Sequence, residues 1–435
     1  MRYSFALIIY RIALLILLPV IILLFIFRSH NHSAYRQRLL ERLGFISKSF
    51  KQHGIIVHAA SVGEVIALTP FIEQLLKSQP ETPITFTTFT PTGSAQVKKT
   101  FADRVQHCYL PLDVFPSTSL FLSRLKPQAI VLMETELWPN LIAQCHQHHI
   151  KLLLVNGRLS DKSMKSYQKL DWLIRPCLQR FDAVLTQSDD NQKNFLSLGA
   201  HPNTCKVSGN LKFDLHISPE VELKQQILKE FIKSERPVWL VASTHTGDEA
   251  LILSSFKRLQ KSFPHLLLII VPRHPERFDS IFQQCQQQGF QTVRRSEKTT
   301  VKADDNIWLI DTLGELLATC ALADIVTMGG SFSTIGGHNP LEPALFKKAI
   351  VVGHDMANFK KVMTQLSLKK GITQLCTTPT TPADDYAATL SITVQALLED
   401  DAKRTLLGEN AYQVVHENQG ASIRAVNVLK TLLAK

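Results

Sequence analysis

The stretch AIVLMETELWPNLIAQCHQHHIKLLLVN, Ala129–Asn156, decides the architecture. Two continuously apolar runs, Ala129–Met133 and Lys151–Asn156, flank a longer polar-apolar pattern. A short run without polar alternation is the signature of a strand covered on both faces, as in a parallel sheet. A parallel neighbour requires a crossover, so this stretch is a strand–helix–strand unit. The same alternation recurs outward in both directions. Further strands are expected at Ile55–His58, Ile84–Thr88, Ala183–Thr186 and Cys205–Ser208. A second series is expected at Val238–Ala242, Leu266–Val271, Ile307–Ile310, Ile325–Met328 and Ala349–Val352. Two such series in 435 residues predict two doubly wound α/β domains, Rossmann-like and facing a cleft. The charged, proline-containing segment Asp214–Pro237 is the expected boundary. The expected organisation is an anchor over 1–30, domains over 31–215 and 216–400, and a helical tail over 401–435.

Phe5–Phe27 is apolar except for Arg11, contains Pro19, and is long enough to cross a bilayer. Residues 1–55 carry eight Lys or Arg against the single acid Glu41, most of the net charge of +11. Arg28, Arg36, Arg38 and Arg42 come after the apolar run, which places the body of the protein in the cytoplasm by the positive-inside rule. Ser33-Ala34 is a poor cleavage site, so the segment reads as a retained anchor, spanning or interfacial. Basic residues concentrated beside an apolar segment point to a membrane surface and away from nucleic acid. The seven cysteines form no CxxC pair and suggest neither a disulfide framework nor a zinc site.

Chemistry-bearing residues gather just after expected strands. In HAASVGEV, His58–Val65, Glu64 is either the back-bonding member of a capping box with Ser61 or a general base. In METELWPNLI, Met133–Ile142, Glu134 and Glu136 are two apart and would point the same way if the strand continued. TPTGS, Thr90–Ser94, reads as a polar turn, and Lys212 stands in GNLKFD, Gly209–Asp214. VPRHPERF, Val271–Phe278, packs Arg273, His274 and Arg277 together, suited to a phosphate or carboxylate. In DTLGEL, Asp311–Leu316, Asp311 or Thr312 would cap a helix with Glu315 in its first turn. The N–H groups of Leu313, Gly314 and Glu315 would meet an anion. In MGGSFSTIGGHNPLEPA, Met328–Ala344, Asn339 caps a helix opening on Pro340. Glu342 is then free to accept from ribose hydroxyls. No GxGxxG, Walker A or GxSxG sequence is present.

In their order, HAASVGEV, TFTTFTPTGS, METELWPNLI, GNLKFD, ASTHTGDE, VPRHPERF, DTLGEL and GGHNPLEPA resemble the 3-deoxy-D-manno-octulosonic acid (Kdo) transferase family. The resemblance implies a GT-B fold, an N-terminal acceptor domain and a C-terminal donor domain. It implies inverting transfer of Kdo from CMP-Kdo to the lipid A precursor, lipid IVA, at the inner face of the bacterial inner membrane. It assigns Glu64 as proton acceptor, against the cap reading, and Glu134 and Lys212 as transition-state stabilisers. It assigns Pro272, Arg273, Leu313, Gly314, Glu315, Asn339, Pro340, Leu341 and Glu342 to CMP. The expected partners are CMP-Kdo, the lipid acceptor and inner-membrane lipids, with neither cofactor nor metal. A UDP-sugar transferase of the same fold and a catalytically silent sugar-nucleotide binder are the alternatives.

Overall fold

The computed structural model describes residues 2–31 and 37–434; Arg36 and the Ser33-Ala34 pair lie outside them. The chain divides into two units. The first comprises residues 1–214 and 418–435, and the second residues 215–417.

The first unit is built on a seven-stranded sheet. Its strands are β1 (Ile55–Ala59), β2 (Ile84–Thr88), β3 (Gln106–Tyr109), β4 (Ala129–Met133), β5 (Lys151–Gly157), β6 (Ala183–Thr186) and β7 (Cys205–Val207). They pair in parallel in the order β3-β2-β1-β4-β5-β6-β7. The second unit holds β8 (Val238–Thr244), β9 (Leu267–Pro272), β10 (Thr292–Arg294), β11 (Ile307–Leu309), β12 (Ile325–Met328), β13 (Ala349–Val352) and β14 (Thr373–Gln374). Its order is β10-β11-β9-β8-β12-β13-β14, again parallel. In each sheet the chain winds outward from one strand, returns, and winds the other way. The winding reverses between β1 and β4 in the first and between β8 and β12 in the second. Crossover loops leave in opposite directions at such a point and open a crevice at the carboxyl ends of the strands.

β1, β2 and β4, with β8, β9, β12 and β13, are buried at every position. Their uninterrupted Ile, Leu and Val runs reflect helices covering both sheet faces. The strands unmarked in the sequence are β3, β10 and β14, and all three are sheet edges or lie at one. β10 and β14 are three and two residues long and at most half-buried, so they lack the apolar run that marks a central strand.

The separate tail expected over 401–435 is divided. Helix Asp401–Asn418 lies almost wholly in the second unit, while helix Ala421–Leu433 returns to the first. There Ala421, Ala425, Val426 and Leu429 join the core that holds Val65, Leu68 and Phe71. Asp214 fixes the return. Its carboxylate accepts from the backbone N–H of Gly420 at 2.6 Å and Ala421 at 3.2 Å, and from that of Ser422. Three donors that the helix cannot satisfy itself are met by one anion at its positive end.

The apolar N-terminal segment is a helix, Arg2–Asn31, belonging to the first unit. Leu14, Leu18, Ile21 and Phe25 recur at helical spacing and pack on Leu112, Val114 and Phe89. Arg11, an oddity in an apolar run, donates from Nε to Asn140 Oδ1 at 2.7 Å and stacks over Phe115. Arg42, 1% exposed, lies over the rings of Phe25, Phe89 and Tyr109 with its guanidinium 4.6, 5.1 and 4.1 Å from their centroids. Cation–π contacts in so dry a setting are worth about 2 kcal/mol. They tie the helix to the loop after β2.

Candidate active site

At the winding reversal of the first sheet, the loop after β1 turns at Ala60-Ser61 into helix Val62–Ser78. Ser61 caps that helix, accepting from Glu64 N–H at 3.4 Å, and its hydroxyl donates to Glu64 Oε1 at 2.9 Å. Glu64 Oε2 accepts from Ala60 N–H at 2.8 Å. The carboxylate therefore does sit in a capping arrangement. That arrangement fixes its position and does not neutralise it. Burial raises the Glu64 pKa, the charge of Glu134 adds to the rise, and the Ala60 N–H, Ser61 and Lys212 oppose it. A carboxylate held this way is a stronger base than an exposed one.

Glu134 and Glu136 come together differently from the extended-strand expectation. β4 ends at Met133, and Glu134 adopts the left-handed conformation, φ 56°. The chain folds into a turn in which Glu136 N–H donates to Met133 O at 3.3 Å. An L-residue at positive φ is strained, and such strain collects where a side chain must be aimed. Asn156, at the end of β5, is also left-handed, φ 55°. Its Oδ1 accepts from Leu211 N–H at 3.0 Å, while Asn210 Oδ1 accepts from Lys212 N–H at 3.0 Å. These two bonds set the tight turn that carries Lys212.

Burial, then the charge of Glu64, pushes Glu136 up to about 7, while the Trp138 indole opposes it. His58 is fully buried, and burial lowers its pKa to about 3. Its Nδ1 meets Thr87 Oγ1 at 3.0 Å, and its Nε2 lies 4.0 Å from Glu136 Oε2. With the imidazole neutral, that approach is not an ion pair. Three carboxylates, a lysine and a neutral histidine thus share the end of the sheet.

The second unit assembles another set of groups at its own reversal. Ser243, φ 60°, bulges the end of β8 against β9. Beyond it, Asp248 accepts from His245 N–H at 2.8 Å and from Gly330 N–H at 2.7 Å, joining the loops after β8 and β12. Burial pushes Asp248 up to about 6. His245 and His338 stack with ring centroids 4.9 Å apart and Nε2 atoms at 2.8 Å, and His274 meets His245 edge-on at 5.0 Å. Burial lowers both stacked histidines, His338 to about 4, and the Arg273 charge adds to the effect. Arg277 donates to Glu249 at 2.6 Å. The Arg273 charge also lowers the Glu342 pKa, against the larger rise from burial.

Asn339 Oδ1 accepts from Leu341 N–H at 3.2 Å, and Asn339 Nδ2 reaches Glu342 Oε1 at 3.4 Å. The short helix Leu341–Ala344 begins at Leu341, with Pro340 at its N-cap, so Asn339 lies one residue before the expected cap position and reaches the first helical N–H from there. The DTLGEL segment differs from its expectation. Asp311 accepts from Ser296 N–H and pairs with Arg294 at 2.6 Å, and Thr312 donates to Glu315. Neither caps the helix Leu316–Cys320, whose first residue comes after Glu315. Leu313 is exposed, and Gly314, φ 83°, takes a conformation favouring glycine. Glu315 pairs with Arg295 at 3.1 Å. In TPTGS, Thr90 caps helix Pro91–Phe101 by accepting from Gly93 N–H, so the expected turn is a helix start.

Residues 37–215 match the family described as 3-deoxy-D-manno-octulosonic-acid transferase (kdotransferase). A Kdo transferase of Haemophilus influenzae is 39% identical over 98% of this chain and 98% of its own. That of Bordetella pertussis is 32% identical over 87% of each. The chain belongs to the Kdo transferase family. It is a glycosyltransferase acting in lipopolysaccharide biosynthesis. The fold has solved counterparts in a UDP-GlcNAc 2-epimerase from Neisseria meningitidis, TM-score 0.57 at 16% identity over 87% of this chain and 100% of that one. A glycosyltransferase from Rickettsia africae gives 0.56 at 12% identity over 89% and 100%. The architecture is GT-B.

Within the transferase, Glu64, Glu134 and Lys212 fall in one electrostatic neighbourhood. Pro272 ends β9, and Arg273 acts on Glu342. Leu313-Gly314-Glu315 finds its partners in Arg295 and Lys224, whose Nζ donates to Gly314 O at 3.3 Å. His58, Asp248 and the His245–His338 pair stand in no pattern that spacing alone singles out. The two stacked histidines are 93 positions apart. Among the described residues, no three His, Cys, Asp or Glu side chains are grouped to hold a metal ion.

Proposed function

We propose that the protein transfers Kdo from CMP-Kdo to the lipid A precursor, lipid IVA, with inversion at the anomeric carbon. Glu64 takes the proton from the acceptor hydroxyl. The freed oxygen attacks the anomeric carbon, the bond from that carbon to the CMP phosphate oxygen breaks, and CMP departs with the electron pair. Lys212 and Glu134 set the charge around the reacting atoms: the ammonium meets developing negative charge, and the carboxylate meets oxocarbenium character on the sugar. In this reading the first unit receives the acceptor and the second the donor.

Arg273 and the N–H groups of Leu313, Gly314 and Glu315 hold the leaving phosphate, and Asn339-Pro340-Leu341-Glu342 holds the ribose. No metal is assigned a role, and activity is expected to survive EDTA. The helix Arg2–Asn31 anchors the catalytic units on the cytoplasmic side of the inner membrane.

The observation that carries this reading is Glu64, held by Ala60 N–H and Ser61, its pKa raised by burial and the charge of Glu134, with Lys212 opposing the rise. Mass spectrometry of the product from lipid IVA, with CMP-Kdo generated in situ, tests it. Wild type should add Kdo, and Glu64→Ala should not while still binding CMP. Consumption of a UDP-sugar in place of CMP-Kdo would leave only the fold standing.

A further inference from the structure

Between the N-terminal helix and the rest of the first unit lies a cavity of about 330 Å³. That is the size of a small ligand site. Leu14, Ile21 and Phe25 of the helix form one wall; Phe89, Leu112 and Trp138 form much of the other. Its two polar residues face each other: Tyr10 donates its hydroxyl to Asp113 Oδ2 at 3.0 Å, and Asp113 also accepts from Asn140 and Leu141 N–H at 2.9 Å. With those groups engaged, the cavity offers an occupant little but hydrocarbon.

Three further observations identify the occupant. The opposite face of the helix is apolar and open, with Ile16, Leu23 and Phe27 71%, 63% and 76% exposed, and the helix is long and apolar enough to cross a membrane. The cavity is walled by Trp138, whose ring packs on Phe89 at 6.0 Å and on His58 at 6.4 Å. His58 in turn stands 4.0 Å from Glu136, inside the carboxylate cluster. A chain seated here therefore brings whatever it is attached to next to that cluster. We propose that the cavity takes one acyl chain of the lipid acceptor and so positions its sugar at the Glu64 site. The inference rests on the transferase reading for the identity of the lipid.

Trp138 is a built-in reporter. With the full-length protein in detergent micelles, an acceptor bearing a dibrominated acyl chain is expected to quench its emission, isolated as the difference between wild type and Trp138→Phe. The double variant Leu14→Phe/Ile21→Phe fills the cavity from two half-buried positions. It should abolish the quenching and raise KM for the acylated acceptor about tenfold relative to the de-acylated bisphosphorylated disaccharide. Ile16→Phe, on the open face, should change neither. Equal quenching by brominated phosphatidylglycerol at the same mole fraction would make bulk lipid the occupant and overturn the proposal. Absent quenching, or an unchanged KM ratio in the double variant, would overturn it too. Quenching without any Kdo transfer would instead remove the transferase reading and leave the acyl site intact.

Discussion

Both units are seven-stranded parallel sheets whose winding reverses once, the second differing by the insertion of β11 between β10 and β9, and they put different electrostatics at that reversal. At the reversal between β1 and β4, the groups are Glu64, Glu134 and Glu136 with one lysine, and the Glu64 and Glu136 pKa values are raised. At the reversal between β8 and β12, histidines and arginines stand with the buried carboxylates Asp248 and Glu342, whose pKa values burial also raises, while the His245 and His338 pKa values are lowered. Nearby carboxylates of the second unit are committed: Glu249 to Arg277, Asp311 to Arg294, Glu315 to Arg295. The first arrangement raises proton affinity, as suits a base. The second keeps imidazoles neutral and leaves positive charge on Arg273, as suits an anion. In the proposed reading, related sheets serve two tasks by exchanging the loops at the carboxyl ends of their strands.

The largest expected effect breaks the comparison at its frame. Deleting residues 418–435 removes the helix that Asp214 caps and uncovers the core around Val65, Leu68 and Phe71. The second unit keeps all seven of its strands. Limited proteolysis should then cleave the first unit while a fragment over 215–417 persists. Equal resistance of both units would show that the return of the chain is ornamental.

Glu64→Gln should lower kcat by about a thousandfold, the usual worth of a general base. It removes the charge that raises Glu136, so the Glu136 pKa should fall from about 7 in a titration followed by carbon NMR. Arg273→Ala strikes the other unit. Losing a hydrogen bond to a charged group costs about 1.5–3 kcal/mol, so the donor KM should rise by about ten- to a hundredfold with the acceptor KM unchanged. A variant that moved both Michaelis constants equally would deny the division of labour.

How much of this is legible in the sequence depends on the distance over which each feature is encoded. Central strands announce themselves because burial on both faces writes five apolar residues in a row, as in Ala129–Met133. β10 and β14 do not, because edge positions relax that demand. The sequence puts Glu134 at the right strand end but with the wrong geometry, since nothing local says that a glutamate will take positive φ. The return of Ala421–Leu433 rests on Asp214, 206 residues before Gly420, and no periodicity carries such a pairing. The capping reading and the base reading of Glu64 look exclusive from spacing alone. In the folded chain the cap is the device that holds the carboxylate.

The smallest effects sharpen the comparison most, because they predict signs. The rise in Glu64 pKa includes a contribution from Glu134 and is opposed by Lys212. A base must be deprotonated to act, so kcat/KM should fall as pH drops through the Glu64 pKa. Glu134→Gln removes a negative neighbour, which lowers that pKa and moves the acid limb to lower pH. Lys212→Met removes a positive neighbour and moves it to higher pH. Both variants should also lose rate at the plateau through weaker transition-state stabilisation, but plateau height and limb position are separate readings of one profile. Glu136→Gln imitates the protonated state that Glu136 holds below about 7, so the acid limb should stay in place and any inflection near 7 should vanish. If Glu134→Gln and Lys212→Met shifted the limb in the same direction, the group being titrated would not be Glu64. The first unit would then owe its proton chemistry to another member of the cluster, with Glu136 the next to test.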